Sequence, residues 1–535
     1  MIKVFMLLMF FCTYLLSYKC DLNPLPNNRS RPDLELSYTS ENFMIHYDAS
    51  GSDAPVSIDE NNNLIPDYIE SVAEIAEQSR NVLINVMGYR EEPSDGDDFY
   101  DIYIQNYSNW GANFPENTSG QSYIIIDNDY AGNNFESDYC VNYLDKMRIS
   151  VAHEFFHAIQ RAYRPNYNLD HDFLLEMSST WFERLMVDNC SDYLTFTESL
   201  VGIFKNPDQS FDGSDADSGN QANFGYSMAL FGHYLSRIVD SKGVSNEQDS
   251  DIIRKIWERY CYIEGSEDCF QNLSPRDAII ETIENIPFED SFSRVWSDFM
   301  ASNMLNGSYS YFNQNIYYHE DQQYISPPLV DIADAISEDE ISEIDITLSP
   351  YSANIITLIA LDDMIINSEL SDNLDEFNGY YSLRGEVDTY SVIDNISFSL
   401  NANEMDTYSL VLTSKSGNPN VDFSFESTVV PDLDFSISKV YPNPVILNQD
   451  MVFKVETNSA IDFIDETILE IELYNILGQK IGSFNEHVQL SSGYNEISIP
   501  IRNYINSSGT YILKAAINLE EHGYKKYSKK ITVIK

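Results

Sequence analysis

Basic residues are scarce in this sequence. Its 535 residues include 31 Lys and Arg against 85 Asp and Glu, for a formal net charge of −54. An excess of negative charge repels phosphate backbones and anionic lipid headgroups. The charge therefore argues against nucleic-acid binding and against binding to a membrane surface. It predicts a solubilising surface with some calcium sites, or an adaptation to salt or genome composition.

Glycine and proline are also few, at 22 and 19 residues, which excludes a fibrous or low-complexity protein. Hydrophobic residues make up 43% of the chain and aromatic residues 13%, enough to bury real cores and to exclude general disorder. A chain of this length predicts three or four globular domains.

Long apolar runs are missing beyond the N-terminus. Residues 1–20 place Lys3 before an apolar run, the layout of a secretory signal peptide, with cleavage expected between Ser17 and Cys20. The run is short for a transmembrane helix, and we expect no membrane-spanning segment in the mature chain. A lipid anchor on Cys20 is disfavoured because the bulky Lys19 precedes it. The protein is therefore expected to be secreted or displayed at the cell surface.

Cysteines are few as well: two of the six lie within the first 20 residues, and none has the CxxC spacing of a zinc or redox motif. Four cysteines in an exported chain favour disulfides. They allow three pairings, of which proximity favours Cys261 with Cys269, leaving Cys140 with Cys190.

The patterns divide the chain into regions. Residues 21–40 are polar and are predicted to be a leader or short pro-segment. Residues 41–330 mix helical and strand signals, whereas residues 340–430 and 437–535 show the short alternating runs of β-sandwich domains. Strands are predicted at 101–107 and 121–127, and helices near 68–87, 147–163, 172–187, 223–240 and 250–262.

One motif carries chemistry. His153 and His157 are four residues apart on a predicted helix, so both project from one face and can bind one zinc ion. Glu154 lies beside them and can serve as the general base. The alternative is a pair of buried core histidines without a metal.

A catalytic zinc needs a third protein ligand and an open position. Glu176, on the next predicted amphipathic helix, is the expected ligand. Asp170, His171 and Asp172 lie between the two helices and are the alternatives, although loop positions fix ligand geometry less well.

The stretches Val151-Ala-His-Glu-Phe-Phe-His-Ala-Ile-Gln160 and Leu175-Glu-Met-Ser-Ser-Thr-Trp-Phe-Glu183 resemble secreted bacterial zinc metalloproteases of the gluzincin type. The resemblance spans about residues 41–310. It implies an α+β, zincin-like domain at 41–330, with a twisted sheet over the active-site helix, followed by the all-β domains.

The same resemblance implies the roles of the residues. His153, His157 and Glu176 would be the zinc ligands and Glu154 the catalytic base. Substrate would pair with an edge strand, for which Gln121 to Asp127 is the candidate.

The sequence departs from the thermolysin-type pattern at Thr180, where an acidic residue is usual. Glu183 is then the expected carboxylate that orients a ligand histidine. Tyr226, in a glycine-flanked helix, is the candidate oxyanion donor, with His233 and His171 expected behind it; in a chain of 37 tyrosines a structural role is equally open.

A loop before the first helix has calcium-binding spacing. Oxygen-bearing groups recur at the spacing of an EF-hand loop, with Leu64 where the usual glycine would stand. The expected ligands are Asp59, Asn61, Asn63, the Ile65 carbonyl, Asp67 and Glu70. The alternative is an acidic helix-capping turn without an ion.

The last hundred residues contain the segments Val440-Tyr-Pro-Asn-Pro444, Ile471-Glu-Leu-Tyr-Asn-Ile-Leu-Gly-Gln-Lys480 and a Lys-ending terminal strand. Their order resembles the type IX secretion C-terminal sorting domain. The resemblance implies the type IX secretion machinery as a partner and outer-membrane passage with removal of the domain.

Together these features predict a secreted zinc endopeptidase that acts on proteins or peptides, with calcium as a second cofactor. The alternatives are a cell-surface adhesion or glycan-binding protein with a degenerate zincin domain, and a zinc hydrolase of another amide.

Overall fold

A computed structural model describes residues 30–535, except 95, 133–136, 167–171, 215–220, 308–316, 337–340, 362–363, 371–376, 386–387, 394–396, 404–405, 416–419, 430–434, 448, 458–462, 476–478, 492 and 520–522. The predicted signal peptide lies outside these residues. The chain forms two compact units. The first runs to Phe299 and includes Tyr318–Leu329, and the second contains Met300–Tyr317 and Val330–Lys535.

The first unit contains a five-stranded sheet in the order β1-β2-β3-β5-β4. Strands β2, β3 and β5 are parallel, whereas β1 and β4 run antiparallel to their neighbours at the two edges. The strands are β1 (Leu36–Thr39), β2 (Phe43–Tyr47), β3 (Tyr100–Gln105), β4 (Gly111–Pro115) and β5 (Ser122–Asp127).

Helices complete the first unit. Two of them, α2 and α3, pack against each other and carry the HExxH motif and Glu176. The helices are α1 (Asp67–Arg80), α2 (Tyr143–Arg161), α3 (Asp172–Met186), α4 (Leu194–Thr197), α5 (Gln221–Ser227), α6 (Ala229–Tyr234), α7 (Ile252–Tyr260) and α8 (Pro275–Glu284), and α9 (Phe292–Asn303) begins in this unit and ends in the second.

The prediction of an edge strand at Gln121 to Asp127 is wrong. That segment is β5, which lies between β3 and β4, and all six of its residues are buried. Its continuous apolar run is typical of an interior strand covered on both faces. The edge is formed by β4, whose Gly-Ala-Asn-Phe-Pro sequence carries a weaker strand signal.

Other predicted boundaries differ: the helix predicted near 68–87 is α1 followed by the π-helix Asn81–Val86, and α2 begins at Tyr143 rather than near 147. Leu36–Thr39, at the end of the segment predicted as leader or pro-segment, pairs with β2 in the sheet. The helix predicted near 223–240 is three consecutive pieces: α5, α6 and the π-helix Leu235–Val239.

Both favoured disulfides are confirmed. Cys140 is bonded to Cys190, and Cys261 to Cys269. The first joins the segment before α2 to the segment after α3, so it crosslinks the two helices that carry the motif residues.

The second unit is built from strands. Its first part is two facing sheets, ordered β11-β10-β13-β8-β6 and β12-β9-β14-β7, around an apolar core. The strands are β6 (Ile332–Ile336), β7 (Ile341–Thr347), β8 (Ala353–Ala360), β9 (Met364–Leu370), β10 (Phe377–Arg384), β11 (Thr389–Val392), β12 (Ser397–Ala402), β13 (Thr407–Ser414) and β14 (Asn420–Val429).

Its second part is another pair of sheets, ordered β15-β17-β20 and β16-β22-β21-β18-β19, with its own core. The strands are β15 (Phe435–Tyr441), β16 (Val445–Ile446), β17 (Met451–Thr457), β18 (Phe463–Asn475), β19 (Lys480–Ser491), β20 (Gly493–Ile499), β21 (Gly509–Leu519) and β22 (Gly523–Ile534). The chain is therefore α+β, with its C-terminal part mostly sandwich-like.

Candidate metal centre

Helices α2 and α3 bring three predicted ligands together. The Nε2 atoms of His153 and His157 lie 3.0 Å apart. An oxygen of Glu176 lies 3.0 Å from the first of these atoms and 3.8 Å from the second. All three side chains are almost fully buried. His153 and His157, one turn apart on α2, and Glu176 on α3 therefore direct three possible ligand atoms at one point.

The outer nitrogen of each imidazole is engaged. His153 Nδ1 lies 2.6 Å from a carboxylate oxygen of Glu183, and His157 Nδ1 lies 2.8 Å from Oε1 of Gln160. The amide nitrogen of Gln160 donates in turn to the Leu175 carbonyl, which fixes the orientation of the amide. These contacts place a proton on each Nδ1 and turn each Nε2 towards Glu176.

The carboxylates of Glu176 and Glu183 favour a positive charge in this cluster. Burial lowers the pKa of His153, but the hydrogen bonds and charges of Glu176 and Glu183 outweigh burial and raise the pKa to about 10. Burial and the charge of His153 lower the pKa of His157. Burial also raises the pKa of Glu176, and its contacts with His153 and Tyr226 offset only part of that effect.

The donor set fits zinc. Tetrahedral zinc holds its ligand atoms about 2.0–2.2 Å away and hence roughly 3.3 Å from one another. The observed separations of 3.0, 3.0 and 3.8 Å bracket that spacing. Two imidazoles and a carboxylate, each imidazole with a hydrogen-bonded outer nitrogen, are the ligands that zinc takes in proteins.

Glu154 lies beside a small cavity next to His153. The cavity has a volume of about 10 Å³ and is lined by Trp110, Ile149, Ser150, His153, Glu154 and Glu183. This is about the volume that one water molecule requires. A carboxylate and a ligand imidazole therefore face the same water-sized space.

The edge strand β4 runs directly over Glu154. A Cβ atom at Gly111 would come within 2.8 Å of the Glu154 side chain, so only glycine lets the strand approach this closely. Asn113 on the same strand donates to the Glu154 carbonyl and accepts from Arg161. These contacts hold the outermost strand β4 against α2, the helix that carries His153 and His157.

Tyr226 belongs to the same site. Its ring lies 5.9 Å from the His153 ring, and contact with its hydroxyl offsets part of the effect of burial on the pKa of Glu176. Gly225 allows the approach, because a Cβ atom there would lie 2.8 Å from Glu176 Cβ. The oxyanion role remains a prediction.

The other predicted residues lie elsewhere. Asp172 begins α3 and is buried, while Asp170 and His171 lie outside the described residues. The prediction that His233 lies behind Tyr226 is wrong. The Nδ1 atom of His233 contacts Glu247 instead, and the His233 ring stacks on the ring of His319.

The predicted calcium loop is closed by hydrogen bonds. The carboxylate of Asp59 accepts from the backbone of Asn63 and Leu64, and the side chains of Asn61 and Asn63 contact Glu70. Asp67 accepts from the Glu60 backbone. The backbone nitrogen of Ile65 donates to Oδ1 of Asn63. These hydrogen bonds close the loop on itself, no described side chain caps the N-terminus of α1, and calcium binding stays a prediction.

Sequence reasoning gave no role to two residues of this centre, Gln160, which it places on the face of the two histidines, and Gly111. Gln160 is one turn beyond His157 on α2, which places it on the same helix face. The three-residue spacing was a usable signal for an orienting group. Gly111 gave no such signal, since its role depends on how the sheet approaches the helix.

The comparisons with known proteins identify one part of the chain. Residues 439–534 match the family described as the secretion system C-terminal sorting domain. This region is a type IX secretion sorting domain, which indicates export to the cell surface or beyond and implies contact with the secretion machinery. In the described part of the chain, no helix is long and apolar enough to cross a membrane.

The remaining comparisons give no family. No curated protein matches the chain. Among solved structures, a glycosyl hydrolase family 2 member from Bacteroides cellulosilyticus is 12% identical over 32% of this chain and 24% of its own, at a TM-score of 0.15. A superoxide reductase from Ignicoccus hospitalis is 17% identical over 19% of this chain and 82% of its own, at a TM-score of 0.14. This chain thus spans about a quarter of the hydrolase, and similarities at this level carry no argument.

Proposed function

We propose that the protein is a secreted zinc-dependent endopeptidase of the zincin class. One observation carries the proposal: the Nε2 atoms of His153 and His157 and a carboxylate oxygen of Glu176 meet within 3.0–3.8 Å in a buried site. The resemblance of the two motif helices to gluzincin proteases supports the same class.

Zinc held there would supply Lewis-acid chemistry, lowering the pKa of water towards about 7 and polarising a carbonyl. Glu154 faces the water-sized cavity and would take the proton of the attacking water and later pass it to the leaving amine. Glu183 and Gln160 keep the two imidazoles oriented throughout. Tyr226 would donate a hydrogen bond to the developing oxyanion.

Peptide substrates are favoured by the sheet. Strand β4 is one of the two outermost strands and lies against Glu154, and an extended peptide would pair with its outer side, where all five β4 residues are now buried. Pairing of this kind would align a scissile bond with the metal centre. The sorting domain supports an extracellular substrate.

The test is Glu154→Gln in the purified chain, with casein as substrate. We expect zinc content to be unchanged and cleavage to fall by about 10²–10⁴-fold, the usual contribution of a general base. Glu264→Gln, at an exposed loop position, is the matched control and is expected to keep full activity.

Undiminished proteolysis by Glu154→Gln would refute the assignment of the base. Zinc binding without cleavage of any protein would instead favour hydrolysis of another amide. A zinc-free chain whose β domains bind a glycan would favour the adhesion alternative.

A further inference from the structure

The segment just before β1 crosses the far face of the sheet, the face turned away from α2. Side chains alternate between the two faces of a strand, so Asn113, which contacts Glu154 on α2, points one way and its neighbours on β4 point the other. On the far face, Leu34 packs against apolar side chains of β3, β4 and β5: Tyr103, Ala112, Phe114, Tyr123 and Ile125. Residues 30–35 therefore belong to the folded first unit, although they fall within the predicted leader or pro-segment.

Arg31 joins three neighbouring strands on this far face. Its guanidinium donates two hydrogen bonds, of 2.7 and 2.6 Å, to the carboxylate of Glu116, which directly follows β4. It donates another to Asp101 on β3 and lies 5.9 Å from the centre of the Tyr123 ring on β5. Since these strands are ordered β3-β5-β4, one side chain spans from the edge strand to the middle of the sheet.

Both carboxylates are themselves held in place. The Asp101 side chain is 6% exposed, and its second oxygen lies 2.6 Å from Nε2 of His46 on β2. The backbone nitrogen of Glu116 donates to the Gln121 carbonyl and so extends the pairing of β4 with β5 by one residue. An arginine that bonds both oxygens of a carboxylate fixes its orientation as well as its distance. Arg31 therefore ties Glu116 to the interior of the sheet.

Strand β4 depends on such ties. It has five residues and a single neighbouring strand, β5. A short edge strand opens locally at a lower free energy than the central strands of a sheet. Gly111 and Asn113 place the first part of β4 against Glu154, and Arg31 holds the residue that follows its last position. Each end of β4 thus has a contact beyond its pairing with β5.

We propose that Arg31 is a positioning residue that fixes β4 against Glu154 for the pairing of an extended peptide. The proposal rests on the proposed peptidase function, because β4 is the strand with which the substrate would pair. Arg31 acts through Glu116 and contacts none of the metal-centre residues named above. A looser β4 weakens peptide binding but leaves the chemistry at Glu154 intact, which separates this role from that of the general base.

The test compares amide hydrogen exchange with peptidase kinetics in the full-length chain. In Arg31→Gln, exchange of the β4 amides should speed up about tenfold, while the amides of α2 keep their rates. The KM for casein should rise about tenfold, and kcat should stay within about twofold of the wild type. Glu116→Gln should give the same changes, and the double variant should add little, because both substitutions remove the same pair.

Arg259→Gln is the matched control. The side chains of Arg259 and Arg31 are both 30% exposed, and Arg259 pairs with Glu281 between α7 and α8, away from the sheet. This control should change neither the exchange of β4 nor the KM.

A folded Arg31→Gln chain with unchanged β4 exchange overturns the proposal, and so does an equal rise throughout the first unit or an unchanged KM. If Arg31→Gln fails to fold, Glu116→Gln decides the question by the same two measurements. A wild-type chain that cleaves no protein would refute the proposed function, whereas the exchange rates would still decide whether Arg31 fixes β4.

Discussion

The cluster of His153, His157 and Glu176 and the cluster of His233, Glu247 and His319 use the same side chains in different surroundings. In the first, the Glu176 carboxylate lies 3.0 Å from His153 Nε2, and the two Nε2 atoms lie 3.0 Å apart. In the second, Glu247 accepts hydrogen bonds from several donors: Trp181 Nε1, His233 Nδ1, Arg237 Nε and Ser236 Oγ.

The comparison shows that ligand type alone does not define a catalytic centre. The first cluster adjoins a water-sized cavity, a second acid in Glu154 and the free edge of a sheet. The second joins two distant parts of the chain and has its carboxylate held by surrounding donors. The first arrangement suits the proposed metal with an open position, whereas the second is a hydrogen-bonded cluster whose carboxylate is already satisfied by protein donors.

The largest expected effect comes from the ligand carboxylate of the first cluster. Glu176→Gln should remove most bound zinc from this centre and lower casein cleavage by at least about a thousandfold, because an amide is a poor zinc ligand. Asp172→Asn, at the alternative position on the same helix, is the control and should retain both. Zinc loss in Asp172→Asn together with retention in Glu176→Gln would reverse the ligand assignment.

A smaller effect is expected from the groups behind the imidazoles. Gln160→Leu keeps a similar side-chain volume but removes the acceptor for His157 Nδ1, so zinc affinity should fall about 10–100-fold. Competition with a zinc chelator measures this affinity. Gln160→Glu restores an acceptor and should recover most of it. Equal affinity in Gln160→Leu and the wild type would show that the amide does not position His157.

The smallest effect is expected near the second cluster. Trp181→Phe removes one donor to Glu247 and should lower the free energy of unfolding by about 1–3 kcal/mol. Urea unfolding measures this change. Casein cleavage per folded molecule should stay unchanged, since Trp181 contacts the second cluster. A selective loss of cleavage would mean that the two clusters are coupled through α3.

Much of this fold could be predicted from local patterns. The presence of α2, the bounds of α3 and the pairing of the cysteines followed from helical period and proximity, whereas α2 begins at Tyr143, one turn before the predicted start. Segment 223–240 has one continuous apolar pattern, yet Gly225 and Gly232 pack closely against α3, and the helix is divided into pieces. The apolar period of the sequence does not reveal these close contacts with α3.

The candidate site was partly predictable for the same reason. His153 and His157 are local in sequence, and Glu176 lies on the next helix. The edge strand depended on sheet order, which no local pattern in Ser122–Asp127 reveals. The second cluster joins residues up to 86 positions apart, from His233 to His319, so only the tertiary structure brings them together.

The most direct test of the central claim is an anomalous difference map, recorded at the zinc absorption edge from crystals of the purified chain. The account predicts a peak within about 2.2 Å of the Nε2 atoms of His153 and His157 and of an oxygen of Glu176. A map without a peak there, in crystals grown with zinc and with all three side chains ordered, would contradict it.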